Sequence, residues 1–238
     1  MNIEYSIVMP CLNEEQTLLE CICKARNFFQ KKDICFEIII ADNGSTDNSI
    51  RIAQMYADLL VEEKRKGYGF ALIRGMNAAH GKYIIIGDSD ASYDFGNLDS
   101  FIFAFNQGAD VIIGNRFAGG IYPNAMPWVH RYIGNPVLSG FARFLFSNNI
   151  HDYHCGLRAC TQKAYRKMKL QCGGMEFASE FIIKASLLNL RISEVSVILY
   201  PDGRKGKSHL QTWKDGCRHL FLIIKLFLEN KYKKTIKI

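Results

Sequence analysis

Asp88 and Asp90, separated by one serine, are the residues in this sequence best suited to hold a cation. They follow a short apolar run, Tyr83–Ile86, whose β-branched residues predict a buried strand. Ligands of open α/β sheets bind at the carboxyl ends of the strands, and paired carboxylates there suit a divalent cation that also holds a diphosphate. An acidic turn that caps the next element is the alternative. We favour the metal site because other segments supply what such a cation needs.

Polar residues also follow the first two predicted strands. Residues 10–14 (PCLNE) come after the first strand, and residues 42–45 (DNGS) come after the second. If the strands are parallel, both segments meet the aspartate pair at one edge of the sheet. Their acidic and amide side chains would then bind a nucleobase and ribose through hydrogen bonds, while the aspartates hold metal and diphosphate.

Strands and helices alternate along most of the chain. Strands are predicted at residues 5–9, 36–41, 59–61, 83–86, 110–114 and 192–199, and helices at residues 14–29, 50–57, 69–79, 98–105, 128–146, 175–188 and 210–228. Asn13 is the expected N-cap of the first helix, and Pro136 is expected to break or kink the helix at 128–146. The Gly- and Pro-rich residues 118–127 predict a long loop. This alternation predicts an α/β class with a single Rossmann-like domain, in which helices flank a mostly parallel sheet.

The charge and cysteine content narrow the range of partners. A net charge of +7 and a pI of about 8.9 suit nucleic acid, anionic lipid or phosphate-bearing substrates. The eight cysteines form no C-x-x-C pair, so we expect reduced thiols in the cytosol. The N-terminus shows no signal peptide, and no run of ~20 apolar residues predicts a membrane span.

Six motifs occur together in one order: SIVMPCLNEE, EIIIADNGSTDNS, GYGFALIRGMNAAHGKYIIIGDSDASYDF, GADVIIGNRF, HCGLRA and GMEFASEF. On these motifs the chain resembles family 2 glycosyltransferases with the GT-A fold, over nearly its whole length. It also resembles the polyprenyl-phosphate branch of that family, which includes dolichyl-phosphate mannose and glucose synthases. We therefore expect a GT-A catalytic domain at residues 1–208, and an amphipathic helix with a basic tail at residues 209–238.

The resemblance assigns the donor side of the reaction. Asp88 and Asp90 match the D-x-D motif that holds Mg²⁺ or Mn²⁺ on the donor diphosphate, which makes Asp90 a catalytic candidate. Asp42 matches the base-binding acid, and Asn43 replaces a second acid that the family often has. A late basic loop, DGRKGKS, matches a loop that closes on the diphosphate, and a solvated charge run is the alternative. The implied donor-binding residues are Pro10, Asn13, Glu14, Asp42, Asp88, Arg204 and Lys207.

The acceptor side rests on two arginines. Arg116 matches an arginine that meets phosphate groups in the synthases, and Arg131 and Asn135 match the region that grips the acceptor phosphate. Arg131 and Asn135 are four residues apart, so they share a helical face, and a planar guanidinium suits a phosphate. A salt bridge or a solvated surface is the alternative for both arginines. Asp152 matches an acid in the synthases, so Arg116, Arg131 and Asp152 join Asp90 as catalytic candidates.

The implied activity is inverting transfer of a hexose from a UDP- or GDP-hexose to a polyprenyl phosphate. A phosphomonoester with a second pKa of about 6 is mostly a dianion at neutral pH, so it needs no strong general base. One alternative is a family 2 enzyme with a hydroxyl acceptor, for which Asp152 is the candidate base. Another is a non-catalytic module that binds a nucleotide-sugar.

The C-terminal segment suggests where the protein acts. An apolar helical stripe lies beside a basic tail, and its members are Leu210, Trp213, Cys217, Leu220, Ile224 and Leu228. Such a helix could contact its own domain, a membrane protein or the membrane surface. We expect a cytoplasmic protein, peripheral at the inner face of the membrane, with a lipid-phosphate acceptor and no nucleic-acid partner.

Overall fold

Buried β-branched strands form the centre of the molecule, for which a computed structural model describes residues 3–204 and 212–236. The strands in these ranges are β1 (Tyr5–Cys11), β2 (Phe36–Asp42), β3 (Leu59–Glu62), β4 (Tyr83–Ile86), β5 (Val111–Asn115), β6 (Arg158–Thr161) and β7 (Ile192–Ser196). They form one sheet in the order β3-β2-β1-β4-β6-β5-β7. All strands run in one direction except β6, which is antiparallel to both β4 and β5. The predicted α/β class with a mostly parallel sheet is therefore confirmed.

The helices cover both faces of this sheet. They are α1 (Leu18–Lys31), α2 (Ser49–Tyr56), α3 (Tyr68–Ala78), α4 (Asp99–Asn106), α5 (Arg116–Gly119), α6 (Asn135–Phe146), α7 (Gln162–Met168), α8 (Phe177–Leu187) and α9 (Thr212–Ile236). Because both faces are covered, the central strands are apolar throughout, as in β4 with its sequence YIII.

The order of the strands reverses between β1 and β4. From β1 the chain adds β2 and β3 on one side, and β4 then pairs with the other side of β1. A crevice forms at such a switch point, outside the carboxyl ends of the two strands, and ligands of open α/β sheets bind there. The crevice between β1 and β4 is therefore the expected ligand-binding site of this sheet.

The sequence reasoning missed β6 and α7. Residues 155–159 look short and mixed because Arg158 interrupts the apolar pattern, yet Arg158 is only 2% exposed. Since β6 runs backwards, it begins where β4 and β5 end, with Arg158 opposite Ile86 and Ile113. The antiparallel direction therefore delivers the loop before β6 to the ligand-binding edge.

Two predictions about helix geometry have different outcomes. Asn13 is not an N-cap, because α1 begins five residues later and Asn13 has a left-handed φ of 58°. Pro136 does not break its helix, because helical backbone continues from His130–Gly134, a π-helical turn, directly into α6. The predicted kink stays a prediction.

Helix α9 packs on α8 and α6 and shares the main core. Ile223 is fully buried in that core, and Leu222 is nearly so. The predicted apolar stripe lies on the opposite side, where Trp213, Cys217 and Leu228 are exposed. Leu210 lies outside the described residues. Within residues 3–204 and 212–236, no helix has both the length and the hydropathy needed to cross a membrane.

Candidate active site

Asp88 and Asp90 lie just beyond the end of β4, beside the end of β1. The Ser89 hydroxyl between them donates a hydrogen bond to the Pro10 carbonyl oxygen at 2.6 Å. This bond fastens the turn to the neighbouring strand. The two carboxylates consequently stand at the switch point of the sheet, at the edge to which the sequence assigned them.

The surroundings of Asp88 penalise its negative charge. Burial, followed by the charge of Asp90, raises the pKa of Asp88 to about 6. The Tyr68 hydroxyl donates to Asp88 Oδ1 at 2.8 Å, and Gly156 packs so closely that a Cβ there would overlap Oδ2. A divalent cation would relieve the repulsion between the carboxylates, whose oxygens are the ligands that Mg²⁺ and Mn²⁺ prefer. The pair therefore fits such a cation.

The protein offers that cation only part of a coordination shell. Across residues 3–204 and 212–236, no group of three or more His, Cys, Asp or Glu side chains is arranged to hold a metal ion. Mg²⁺ commonly binds through one or two carboxylates, with water and substrate phosphates completing the shell. Asp88 and Asp90 match this arrangement, in which the cation and a diphosphate bind together.

A cavity of about 390 Å³ opens beside the two aspartates. Its basic lining residues are Lys66, Arg204, Lys214 and Arg218, and its acidic ones include Glu14. Lys66 is anchored, because its Nζ donates to the Asn43 carbonyl oxygen at 2.8 Å. The combination of an aspartate pair with surrounding cations suits a ligand that carries phosphate groups.

Arg204 bridges the acidic side chains of this cavity. Its Nη1 lies 3.0 Å from Glu14 Oε1 and its Nη2 lies 3.4 Å from Asp90 Oδ2, while Asp202 holds the same guanidinium. The Arg204 side chain is only 14% exposed. Burial raises the pKa of Glu14 to about 7, although the charge of Arg204 opposes that rise. Arg204 thus occupies the space beside Asp90 that faces the cavity.

The predicted nucleotide-binding acid, Asp42, is engaged by its own turn. Its carboxylate accepts hydrogen bonds from the backbone amides of Gly44 and Ser45, and Asp42 is only 2% exposed. Asn13 similarly accepts a hydrogen bond from the Thr46 amide at 2.7 Å. Pro10 and Glu14 line the cavity, whereas Asp42 and Asn13 support the loops around it. Lys207 lies outside the described residues.

Asn43 makes a contact that the sequence did not predict. Its side-chain amide donates to the carbonyl oxygens of Glu63 and Arg65, and its Oδ1 accepts from the Gly67 amide. These bonds hold the basic loop that carries Lys66 against the end of β2. An aspartate here would lose the donor half of this arrangement, because a carboxylate only accepts.

Arg116 and Asp152 form a buried ion pair. Two bonds of 2.7 Å join Nε and Nη2 of Arg116 to the two carboxylate oxygens of Asp152, which is fully buried. Asp152 also accepts the amides of Arg116 and His154. This geometry fixes the plane of the guanidinium, and it gives Asp152 the role of orienting Arg116.

Arg131 and Asn135 lie on the helical segment that follows the long loop. The Arg131 guanidinium stands over the Tyr132 ring at 5.4 Å, and Asn135 Nδ2 lies 3.5 Å from Met126 Sδ. Neither residue lines the cavity beside Asp88, nor do Arg116 and Asp152. The four predicted acceptor-side residues are therefore not part of the lining of the cavity beside Asp88.

Other contributors to the site come from late elements. Lys214, Asp215 and Arg218 in the first turns of α9 line the cavity. Arg158 lies behind Asp88, where its guanidinium donates to the carbonyl oxygens of Cys155 and Ala178 and its charge opposes the rise in the pKa of Asp88. The i, i+4 spacing from Lys214 to Arg218 was the available signal, but the apolar stripe of the same helix obscured it.

Two glutamates of the GMEFASEF motif have different surroundings. The Glu180 carboxylate accepts the amides of Gln171 and Cys172, so it orients the loop before α8. Glu176 accepts the Gly174 amide with one oxygen. In the described part of the chain, its buried Oε2 has no hydrogen-bond partner. Gly174 lines the cavity, so Glu176 is the candidate of the two for a ligand hydroxyl.

Comparison with known proteins gives a consistent result. The family model described as "Glycosyl transferase family 2" matches residues 6–169. The low-salt glycan biosynthesis hexosyltransferase Agl6 of Haloferax volcanii is 35% identical over 221 residues, which are 92% of this chain and 53% of that protein. This chain therefore spans about half of that relative. A dolichyl-phosphate hexose transferase of the same organism is 26% identical over 230 residues, covering 97% of this chain and 96% of the relative.

A solved structure shares the fold. Glucosyl-3-phosphoglycerate synthase from Mycobacterium tuberculosis, in complex with Mn²⁺, uridine-diphosphate and glucosyl-3-phosphoglycerate, superposes with a TM-score of 0.71. The alignment covers 96% of this chain and 80% of that one, at 18% sequence identity. At this identity the likeness establishes the architecture alone.

Proposed function

The chain belongs to glycosyl transferase family 2, and we propose that it moves a hexose from a UDP- or GDP-hexose to a polyprenyl phosphate. The observation that carries the donor half is the Asp88–Asp90 pair, set at the switch point of a GT-A sheet beside a cavity with cationic walls. Burial and the charge of Asp90 raise the pKa of Asp88, so a divalent cation would stabilise this pair, and a diphosphate would supply further oxygen ligands.

On the donor side, the roles follow from position. Asp88 and Asp90 hold Mg²⁺ or Mn²⁺, which when bound offsets the charge that grows on the leaving diphosphate. Lys66, Arg204 and Arg218 attract the phosphate groups. The unpartnered oxygen of Glu176 accepts a hydroxyl hydrogen of the sugar. Asp42 and Asn13 act through the loops they hold, and Pro10 and Glu14 form the floor beside them.

On the acceptor side, the buried pair of Arg116 and Asp152 favours a phosphate over a hydroxyl. A hydroxyl acceptor needs a base that can reach it, whereas Asp152 is fully buried with both oxygens bonded to Arg116. A phosphate needs only cationic positioning, which the half-buried Arg131 supplies, whereas Arg116 is itself buried and paired with Asp152. Asn135 adds a hydrogen bond from the same helical face as Arg131. Relatives named as dolichyl-phosphate hexosyl- and glucosyltransferases support this acceptor class.

We place the enzyme at the cytoplasmic face of a membrane, where a polyprenyl phosphate presents its head group. The reaction is an inverting displacement, in which the phosphate oxygen forms a bond to the anomeric carbon and the nucleoside diphosphate leaves. The proposal extends to peripheral binding, either to lipid or to a membrane protein.

A donor and acceptor screen tests this function. Each UDP- and GDP-hexose is incubated with Mg²⁺ or Mn²⁺ and a short polyprenyl phosphate, and a lipid-extractable, acid-labile product is expected. Asp90→Ala should abolish turnover. Transfer to soluble saccharides with none to the polyprenyl phosphate would favour the hydroxyl-acceptor enzyme, provided that Asp152→Asn then also loses activity. Donor binding without metal-dependent turnover on any acceptor would instead indicate a non-catalytic module.

A further inference from the structure

Large apolar side chains are exposed together on two neighbouring helical segments. On α9, Trp213 is 84% exposed and Phe221 is 71% exposed, and on α6, Phe144 is 82% exposed. The members of this surface are Trp128, Val129, Tyr132, Ile133, Val137 and Phe144 of residues 128–146, and Trp213, Leu220, Phe221, Ile224, Leu228 and Tyr232 of α9. We call these residues the two-helix surface. Concentrated exposure of this kind marks a binding surface rather than ordinary scatter.

The protein's own core does not use this surface. Helix α9 turns a different face inward, with Ile223 and Leu222 buried against the domain. The two segments also touch each other, because the rings of Phe146 and Phe227 meet edge to face at 6.2 Å. Their outer faces are therefore neighbouring parts of the molecular surface.

The charges around this surface have one dominant sign. Its basic side chains are Arg131, Arg143, Lys214, Arg218, Lys225 and Lys231. Residues 128–146 contain no acid. Among the described side chains of α9, the acids are Asp215, which is buried, and Glu229. Two copies of this basic surface would repel each other, whereas a partner with an anionic surface would be attracted to it.

The aromatic residues point to the same partner. Both tryptophans of the chain, Trp128 and Trp213, belong to the two-helix surface, as do Tyr132 and Tyr232. Tryptophan and tyrosine favour the boundary between lipid and water, because each has an apolar ring and a polar group. Amphipathic helices of this composition lie in the plane of the membrane interface and do not span it.

We propose that the two-helix surface binds the surface of an anionic lipid bilayer, with α9 lying in the interface. The inference deepens the proposed function, on which its biological purpose rests, by naming the bilayer itself as the partner. The first turns of α9 also line the donor cavity through Lys214, Asp215 and Arg218. A bilayer that holds α9 consequently holds one wall of the cavity next to the lipid in which the acceptor resides.

The two tryptophans provide the assay. The full chain is titrated with vesicles of phosphatidylcholine alone, or of phosphatidylcholine with phosphatidylglycerol, and tryptophan emission is followed. Trp128→Phe and Trp213→Phe variants report on each helix separately. We expect a blue shift from both tryptophans on anionic vesicles, quenching by brominated lipid, and at least about fivefold weaker binding to neutral vesicles.

Matched variants distinguish binding through this surface from non-specific binding through any exposed apolar or basic residue. Phe221→Ser should weaken vesicle binding about tenfold, whereas Phe103→Ser, at a residue 65% exposed on α4, should leave it unchanged. Lys225→Glu should weaken binding to anionic vesicles, whereas Lys167→Glu on α7 should not. Equal effects of Phe221→Ser and Phe103→Ser would overturn the proposal. So would unchanged tryptophan emission accompanied by self-association in sedimentation, which would identify a second copy as the partner.

The two proposals fail in different ways. Absence of vesicle binding, together with transfer to a short polyprenyl phosphate in detergent, would remove the bilayer inference and leave the proposed function standing. Vesicle binding without transfer to any phosphate acceptor would remove the proposed function and leave the bilayer inference standing.

Discussion

Replacing Arg204 by glutamine should change the binding of metal and of nucleotide in opposite directions. The Arg204 Nη2 atom lies 3.4 Å from Asp90 Oδ2. A bound cation would need the same carboxylate, so Arg204 and the cation compete for Asp90. A metal ion arriving without a nucleotide must therefore displace Arg204 or share Asp90 with it. With a nucleoside diphosphate present, the same guanidinium gains a phosphate partner.

The size of the effect follows from the geometry. Two unit charges at that separation attract by about 5 kcal/mol at an effective dielectric constant of about 20. Desolvation of both groups offsets most of this attraction, and Glu14 and Asp202 keep part of the guanidinium in place after it leaves Asp90. A net cost of about 1–2 kcal/mol remains. Arg204→Gln should then bind Mn²⁺ alone about 5–30 times more tightly than the natural sequence.

Isothermal titration calorimetry measures both halves of this prediction. Mn²⁺ is titrated first without nucleotide, and UDP or GDP is then titrated at saturating Mn²⁺, where Arg204→Gln should bind less tightly. Asp90→Asn should lose Mn²⁺ binding in the first titration. Arg191→Gln is the matched control, because Arg191 also pairs with an acid, Asp110 at 3.6 Å, away from the cavity. Unchanged Mn²⁺ affinity in Arg204→Gln would refute the competition between arginine and metal.

Three further substitutions test the energetics of the site. The pKa of Glu14 is raised from 4.5 to about 7, so the unfolded chain ionises first and the fold loses stability as pH rises between these values. Glu14→Gln removes that loss, so at pH 8 its free energy of unfolding should exceed that of the natural sequence by about 2–3 kcal/mol, whereas at pH 4 the two should be equal. Urea unfolding at both pH values measures the difference. An equal difference at pH 4 and pH 8 would contradict the reasoning. Asp152→Asn leaves Arg116 buried without a counter-charge and should lower the free energy of unfolding by about 3–5 kcal/mol, and Arg116→Met in the same chain should recover part of it. Gly156→Ala places a Cβ against Asp88 and should weaken Mn²⁺ binding at least about tenfold, whereas Gly140→Ala, where the space is open, should leave calorimetric binding intact.

Much of the fold follows from local sequence patterns. The strand at Tyr83–Ile86 and the buried face of α1 could be predicted from neighbouring residues alone. A buried strand is a short apolar run, and the buried face of a helix repeats every three to four residues. The strand β6 could not, because its apolar pattern is broken by Arg158, whose charge is accommodated only by carbonyl oxygens from distant segments. Its antiparallel direction likewise depends on neighbours that no local pattern specifies.

For the site, the positions of some residues could be predicted, but most of their contacts could not. Strand-end carboxylates such as Asp88 and Asp90 could be located because parallel strands bring their ends to one edge. The pairing of Arg116 with Asp152 could not, because the two residues are far apart in the sequence and only the folded chain brings them together. The inward face of α9 could not be predicted for a related reason: both of its faces carry apolar residues, and only packing against α6 and α8 selects one.

The cavity beside Asp88 takes its lining from residues as far apart as Pro10 and Arg218. No early fragment of the chain contains the complete site, so during synthesis the nucleotide finds its full set of contacts only after α9 has docked. A ligand that binds only the finished arrangement stabilises the whole fold in proportion to its saturation. A thermal-shift signal with nucleotide and Mn²⁺ would therefore report on the assembly of the entire chain, from β1 to α9, as well as on occupancy of the site.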